Sequence, residues 1–264
     1  MGLYKMKNLY INGCSFTAGH TLQDDEIWPK LLSEKLDLNL INCAVNGQSF
    51  GSIYLNTINH LSDLDPSDTL VVIGTTWPTR YLIQYGKYNL NITPVDIPSS
   101  THNGRKRETK KTNFQDKIAK HRRLSSPYEL NPSLDIWNRD DWHKFEWSKN
   151  LSLVCESFSD YYESLVRFDD NITNNQWVNF MSKLVGLQSF LENNNFEYRI
   201  VDFFNVGDVR KQENNWKKHN INNMLNESKI IYFDGEWKKK YVDGHPTKEG
   251  CVNISEVLYD SFNR

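Results

Sequence analysis

A serine near the start of the chain and a histidine near its end are the residues with the most chemistry to offer. Ser15 follows the apolar run Leu9-Tyr10-Ile11 and the turn residues Asn12-Gly13-Cys14, so a strand ends and a serine is presented. His245 stands in Asp243-Gly244-His245-Pro246-Thr247, with an acid two residues before it. A serine hydroxyl is a feeble nucleophile at neutral pH. It attacks an ester carbonyl when a base takes its proton, and a histidine oriented by an acid is such a base. Each motif also has an ordinary reading: glycine with serine is common turn chemistry, and a histidine before proline can be a plain loop residue. The elements between the two must decide.

Those elements alternate. After Ser15 a helix is expected from about Asp24-Asp25-Glu26, whose carboxylates would suit the positive end of a helix dipole, through Trp28, Leu31, Leu32 and Leu36 at helical spacing. Leu38 to Asn42 reads as a second strand. It runs into the small-residue loop Cys43-Ala44-Val45-Asn46-Gly47-Gln48-Ser49 and another helical stretch. A third strand, Thr69 to Ile73, is introduced by the turn Asp65-Pro66-Ser67-Asp68 and ends on Gly74-Thr75-Thr76-Trp77. Later, helix signals cover Leu151 to Phe168 and Asn175 to Glu192. Glu197 to Phe203 and Lys229 to Phe233 supply strands four and five, with a short helix over Trp216 to Leu225 between them. A loop from Gly235 to Gly250 and a terminal helix from about Lys248 to Phe262 close the chain. Alternating strands and helices favour a parallel sheet, whose functional groups gather at the carboxyl ends of the strands.

Four blocks at those strand ends resemble, in order, the blocks of the SGNH (GDSL-type) hydrolase family. Gly13-Cys14-Ser15-Phe16-Thr17 is similar to the first, where the serine is the nucleophile. Asn42, Ala44, Gly47 and Ser49 match the second, whose glycine donates its N–H to the oxyanion; a glycine required for positive φ is compatible with that role. The third block is usually Gly-x-Asn-Asp. Here Gly74 fits, but Thr76 stands for the asparagine and Trp77 for the aspartate, so the third oxyanion donor is Thr76, Asn46 or neither. Asp243-Gly244-His245-Pro246 resembles the fifth block, with histidine as general base and aspartate orienting it, one residue short of the usual Asp-x-x-His spacing. The resemblance implies a three-layer α/β/α sandwich with a mainly parallel, flavodoxin-like, five-stranded sheet. It also implies a catalytic set of Ser15, His245 and Asp243 and an oxyanion hole of the Ser15 and Gly47 N–H groups with Thr76.

From Tyr81 to about Asp170 the alternation is lost, and a long insertion after the third strand is expected within a single domain. A hairpin is expected over Tyr85 to Ile97. Ser99 to Arg123 is basic but lacks interleaved aromatics, as a solvated loop does. The aromatic Ile136 to Trp147 is expected to form a lid or wall, with oligomer packing as the plainer reading. One histidine beside Asp140 and Asp141 is a poor case for a metal there. Trp77, Arg80, Asn46, Trp142 and Trp147 are candidate substrate contacts, with ordinary ion pairing the preferred reading of Arg80.

Composition narrows the classes. With Lys plus Arg at 31 and Asp plus Glu at 33 the formal charge is −2, so no global basic field points to nucleic acid. Charged residues at 24% and a mean hydropathy of −0.65 describe a soluble surface. No apolar run approaches the roughly 20 residues needed to cross a bilayer and no signal core is evident, so a cytoplasmic protein is expected. Cys14, Cys43, Cys155 and Cys251 are scattered without a Cys-x-x-Cys pair and read as reduced thiols. No cofactor, metal, nucleic acid or membrane partner is implied. The family resemblance implies hydrolysis of an ester, an O-acetyl group on a carbohydrate or another small acyl ester. An acyltransferase with the same acyl-serine, or an inactive binding or assembly protein on the same fold, are the rivals.

Overall fold

Strands that are buried on both faces read as continuous apolar runs, and the central strands of this protein do so. Thr69–Gly74 (β3) is buried at every position, and Asn8–Asn12 (β1) at all but the first. The computed structural model describes residues 6–19, 22–78, 81–85, 88–92, 172–203, 224–233, 241–242 and 245–263. The chain divides into two compact units, residues 1–77 with 180–264, and residues 78–179.

In the first unit β1 and β3 pair in parallel with each other. Asn39–Asn42 (β2) adds beside β1, while Glu197–Asp202 (β6) and Ile230–Tyr232 (β7) follow β3. The five-stranded sheet therefore runs β2-β1-β3-β6-β7, all parallel. By rank along the chain this is the doubly wound order 2-1-3-4-5, in which ligand sites form outside the carboxyl ends of the strands at the point where the order reverses. Here that point lies between β1 and β3.

Alternation along the strands sorts their side chains onto two faces. Leu9, Ile11, Leu70, Val72 and Val201 join Trp28 and Leu32 of helix α2 (Trp28–Leu36) and Cys251, Ile254, Leu258 and Phe262 of α5 (Lys248–Phe262) in one core. On the other face, β1 bonds through Asn12 to α3 (Phe50–Leu61), and Phe50 packs on Phe180 at 4.5 Å between ring centroids. Phe180 belongs to α4 (Ile172–Asn193), which begins in the second unit. Helices cover both faces, and the sandwich has three layers as expected. The second unit carries the antiparallel hairpin of Tyr81–Tyr85 (β4) and Tyr88–Ile92 (β5).

Several elements differ from expectation. A short helix, Ser15–Ala18 (α1), starts at the serine itself, and α2 begins at Trp28 rather than Asp24. Pro29 in the first turn of α2 explains the later start: its fixed φ and missing N–H suit a helix beginning and not its interior. Glu26 instead closes the preceding turn, accepting from the Gln23 N–H at 3.2 Å and pairing with Lys248 at 3.1 Å. The hairpin sits about four residues earlier than expected, and the loop before α5 contains a two-residue ladder, Tyr241–Val242 (β8) with His245–Pro246 (β9). The helices expected at Leu151 to Phe168 and from Trp216, the basic loop and the aromatic lid segment lie outside the described residues.

Helix α5 offers a direct check of the layer assignment. Leu258 is fully buried, while its neighbour Val257 is 36% exposed. Leu258→Ala should lower unfolding free energy by about 2–5 kcal/mol, whereas Val257→Ala should stay within about 0.5 kcal/mol of the parent in urea titrations. Equal losses would place the buried face of α5 wrongly.

Candidate active site

The turn Asn12-Gly13-Cys14 leaves β1 and brings Ser15 to the first position of α1, with extended Cys14 as its N-cap. Thr17 and Ala18 both donate backbone N–H groups to the Cys14 carbonyl at 2.9 Å, closing the turn that carries the serine. Ser15 is only 5% exposed. Its Oγ lies 2.8 Å from Nε2 of His245, across 230 residues of sequence. When Ser15 donates to Nε2, the neutral ring holds its own proton on Nδ1, the tautomer that a general base needs.

His245 is positioned from two sides. The β8–β9 ladder pairs it with Val242, and directly after it Thr247 caps α5, its Oγ1 accepting from the Gly250 N–H at 3.2 Å. Phe16, next to the serine, packs its ring 4.9 Å from the imidazole and 5.5 Å from Phe203. The helix that carries Ser15 thus supplies an aromatic wall against His245.

The strand ends around Ser15 are tied to one another. Cys14 Sγ donates to the Thr75 carbonyl at 3.6 Å, and the Thr75 hydroxyl donates to Oδ1 of buried Asp202 at 3.1 Å. Val45 N–H reaches the Gly13 carbonyl at 3.1 Å, and Cys43 N–H the Ile11 carbonyl at 2.7 Å, so the loop after β2 is laced to the end of β1. Gly47, in that loop, adopts φ +77° with nothing near the position of a Cβ, so conformation rather than space requires glycine there. Gly13 and Gly74 are the opposite case: a Cβ on either would stand 2.3 Å from Oγ1 of Thr17.

Thr76 is wholly buried, and its hydroxyl has no hydrogen-bond partner among the described residues. The same holds for Oγ1 of Thr17 and Oδ1 of Asn46. Orphaned buried polar atoms are uncommon and call for an explanation, one of which is an absent ligand atom. Trp77 is 49% exposed beside Thr76. The structure thus brings Ser15 and His245 into contact. It places Gly47, Asn46, Thr76 and Trp77 at the carboxyl edge of the same sheet, while Asp243, Arg80, Trp142 and Trp147 lie outside the described residues. Residues that sequence reasoning did not single out are Asn12, Phe16, Thr17 and Asp202. Only Thr17 and Phe16 carried a signal, by standing within the serine motif.

No protein-family model and no curated protein matches the chain. Solved structures that are similar to it include a lipolytic protein of the G-D-S-L family from Desulfitobacterium hafniense, at 10% identity and TM-score 0.42 over 97% of this chain and 99% of that one. The esterase EstA from Pseudoalteromonas sp. has 14% identity and TM-score 0.43 over 97% of both chains. A G-D-S-L lipolytic protein from Veillonella parvula has 10% identity and TM-score 0.45 over 98% of this chain and 99% of that one. Two of these three names carry the family that the sequence blocks resemble. At such identities the likeness concerns fold, and the site stands on its own geometry.

The contact of Thr17 with both glycines can be tested by a mutant cycle. Gly74→Ala should cost about 1–3 kcal/mol through overpacking, and much of that penalty should vanish in a Thr17→Ala background. A penalty that is the same in both backgrounds would show that Thr17 is not what fills the space.

Proposed function

We propose that this protein is a serine esterase that removes a small acyl group through an acyl-serine intermediate. The observation that carries the reading is the 2.8 Å contact between Ser15 Oγ and His245 Nε2, formed by residues from opposite ends of the chain at the carboxyl edge of a doubly wound sheet.

In the proposed reaction Ser15 Oγ attacks the ester carbonyl carbon while its proton passes to Nε2 of His245. The carbonyl oxygen becomes an oxyanion. The N–H groups of Ser15 and Gly47 would receive it, with the Thr76 hydroxyl as third donor. Collapse of the tetrahedral intermediate breaks the bond to the alcohol, which leaves with the proton from His245. A water, deprotonated by the same imidazole, then attacks the acyl-serine and releases the carboxylic acid. Asp243, two residues before the base, is the proposed partner for its Nδ1–H.

Ser15 is only slightly exposed, and a short acyl group such as acetate asks least of the space around it. An O-acetyl ester is therefore the proposed substrate, and half-exposed Trp77 supplies a flat apolar face for the alcohol portion, as a sugar ring would use. The reaction as drawn uses no metal, so a chelator should leave the rate unchanged.

Ser15→Ala and His245→Ala should each reduce hydrolysis of p-nitrophenyl acetate by on the order of a thousandfold or more, because nucleophile and base act as a unit. A fluorophosphonate probe should label the parent at Ser15 and neither variant. A parent protein that resists the probe would favour a non-catalytic binding role for the fold. Thr76→Val separates the third donor from the other two. It removes a buried orphan hydroxyl without changing shape, so melting temperature should hold or rise, while kcat should fall about a hundredfold with little change in KM. Normal turnover in Thr76→Val would show that two backbone donors suffice.

A further inference from the structure

We propose that Asn12 is a positioning residue for both halves of the oxyanion hole, an inference that rests on the serine esterase reading. Asn12 ends β1 and is fully buried. Its Oδ1 accepts from the Gly13 N–H at 2.9 Å, and the Gly13 carbonyl in turn accepts from Val45 N–H at 3.1 Å. Both polar groups of the glycine two residues before Ser15 are thereby fixed, one by Asn12 and the other by the loop that holds Gly47.

The nitrogen side of the same amide faces the next helix. Nδ2 donates to the Thr57 hydroxyl at 3.0 Å, to the Ile53 carbonyl at 3.3 Å and to the Tyr10 hydroxyl at 3.4 Å. Ile53 and Thr57 stand one turn apart in α3, which begins at Phe50 with Ser49 as its side-chain N-cap. Gly47 lies immediately upstream. One planar group therefore sets the peptide that leads into Ser15 and the helix that follows Gly47, the two sources of backbone donors in the proposed hole. An apolar side chain of similar volume would fill the space without the desolvation cost of an amide. What the amide adds is direction. Because oxyanion stabilisation depends on donors fixed before the reaction, an error well under an ångström between Ser15 N–H and Gly47 N–H weakens it.

The groups around this amide are uncharged at neutral pH. Burial holds the Tyr10 phenol well above its usual range, pushes the Cys43 thiol up to about 11 and pushes the His60 imidazole down. His60 Nδ1 lies 3.1 Å from Cys43 Sγ and 3.4 Å from the Tyr10 hydroxyl, closing the network. Its loss should alter geometry at the hole and leave the ionisation of His245 alone.

The test uses the full chain with p-nitrophenyl acetate, each preparation titrated with a fluorophosphonate probe. Thr57→Val removes the shortest of the three contacts made by Nδ2 and keeps shape. Asn12→Leu removes the whole set, and Thr57→Ser keeps the hydroxyl. We expect kcat per titrated site to fall about tenfold in Thr57→Val and about a hundredfold in Asn12→Leu, with KM and the midpoint of the pH profile unchanged and Thr57→Ser near the parent. If Asn12→Leu does not fold, the Thr57 pair decides. Lower melting temperatures with unchanged kcat per site would reduce Asn12 to a scaffold residue and overturn the proposal, as would a shifted pH midpoint. A parent that neither labels nor hydrolyses would overturn the esterase reading and this inference together. An active parent with unaffected variants would overturn only the inference.

Discussion

Thr17 carries its hydroxyl into space that side chains on Gly13 and Gly74 would otherwise occupy, and the geometry of the site depends on that close approach. Gly13 leaves β1 and Gly74 ends β3, the two strands on either side of the point where strand order reverses. Without a Cβ on either, α1 sinks between the strand ends until Thr17 is fully buried and Phe16 faces inward. Ser15 then reaches Nε2 of His245 with little exposure, and the Phe16 ring closes on the imidazole. Trp28 secures the arrangement from α2, its indole N–H donating to the Phe16 carbonyl at 3.0 Å. Interiors are packed too densely to absorb an extra methyl at such a junction, so the serine's position follows from an absence of side chain elsewhere.

Around this junction the carboxyl edge of the sheet carries a set of buried polar side chains. Asn12, Thr75 and Asp202 are each at most 1% exposed, and each is hydrogen-bonded. Such groups cost several kilocalories per mole to desolvate if left unpaired, and roughly break even when paired. Their contribution is therefore orientation more than stability. Thr75 shows this well: its N–H goes to the Val201 carbonyl at 2.8 Å, its hydroxyl to Asp202 and its carbonyl to Cys14. The end of β3, the end of β6 and the turn that carries Ser15 are thus held in one register by a single residue adjoining Thr76.

The scaffold was legible in the sequence because fully buried parallel strands announce themselves as short apolar runs bounded by glycine and small polar residues. Leu9 to Ile11 and Thr69 to Ile73 are of this kind, and the helices alternating with them imply a parallel sheet, whereas its strand order is given by the structure. The start of α2 was misread because Asp24-Asp25-Glu26 mimics a helix N-terminus. The deciding signal was Pro29, whose preference for the first turn outweighs favourable charge. The pairing of Ser15 with His245 could be anticipated only by joining two separate motifs, since nothing local to either points to the other. Asn12 was illegible for a stronger reason. Asn-Gly after a strand reads as a turn, and its partner Thr57 stands 45 residues away, a contact that only the packed α3 creates.

The departure at the third block bears on how much the rest of the site can carry. A threonine has a shorter reach than an asparagine amide and only one proton to donate, so Thr76 can serve an oxyanion only if the peptide that carries it is held close. Thr75 fixes the adjoining peptide with all three of its polar groups engaged, while the hydroxyl of Thr76 is fully buried and has no hydrogen-bond partner among the described residues. A buried orphan hydroxyl costs the folded state about 1–3 kcal/mol. An ester oxygen bound at Thr76 would relieve that cost, and the hydroxyl would favour a charged intermediate only by as much as its hydrogen bond strengthens when charge develops.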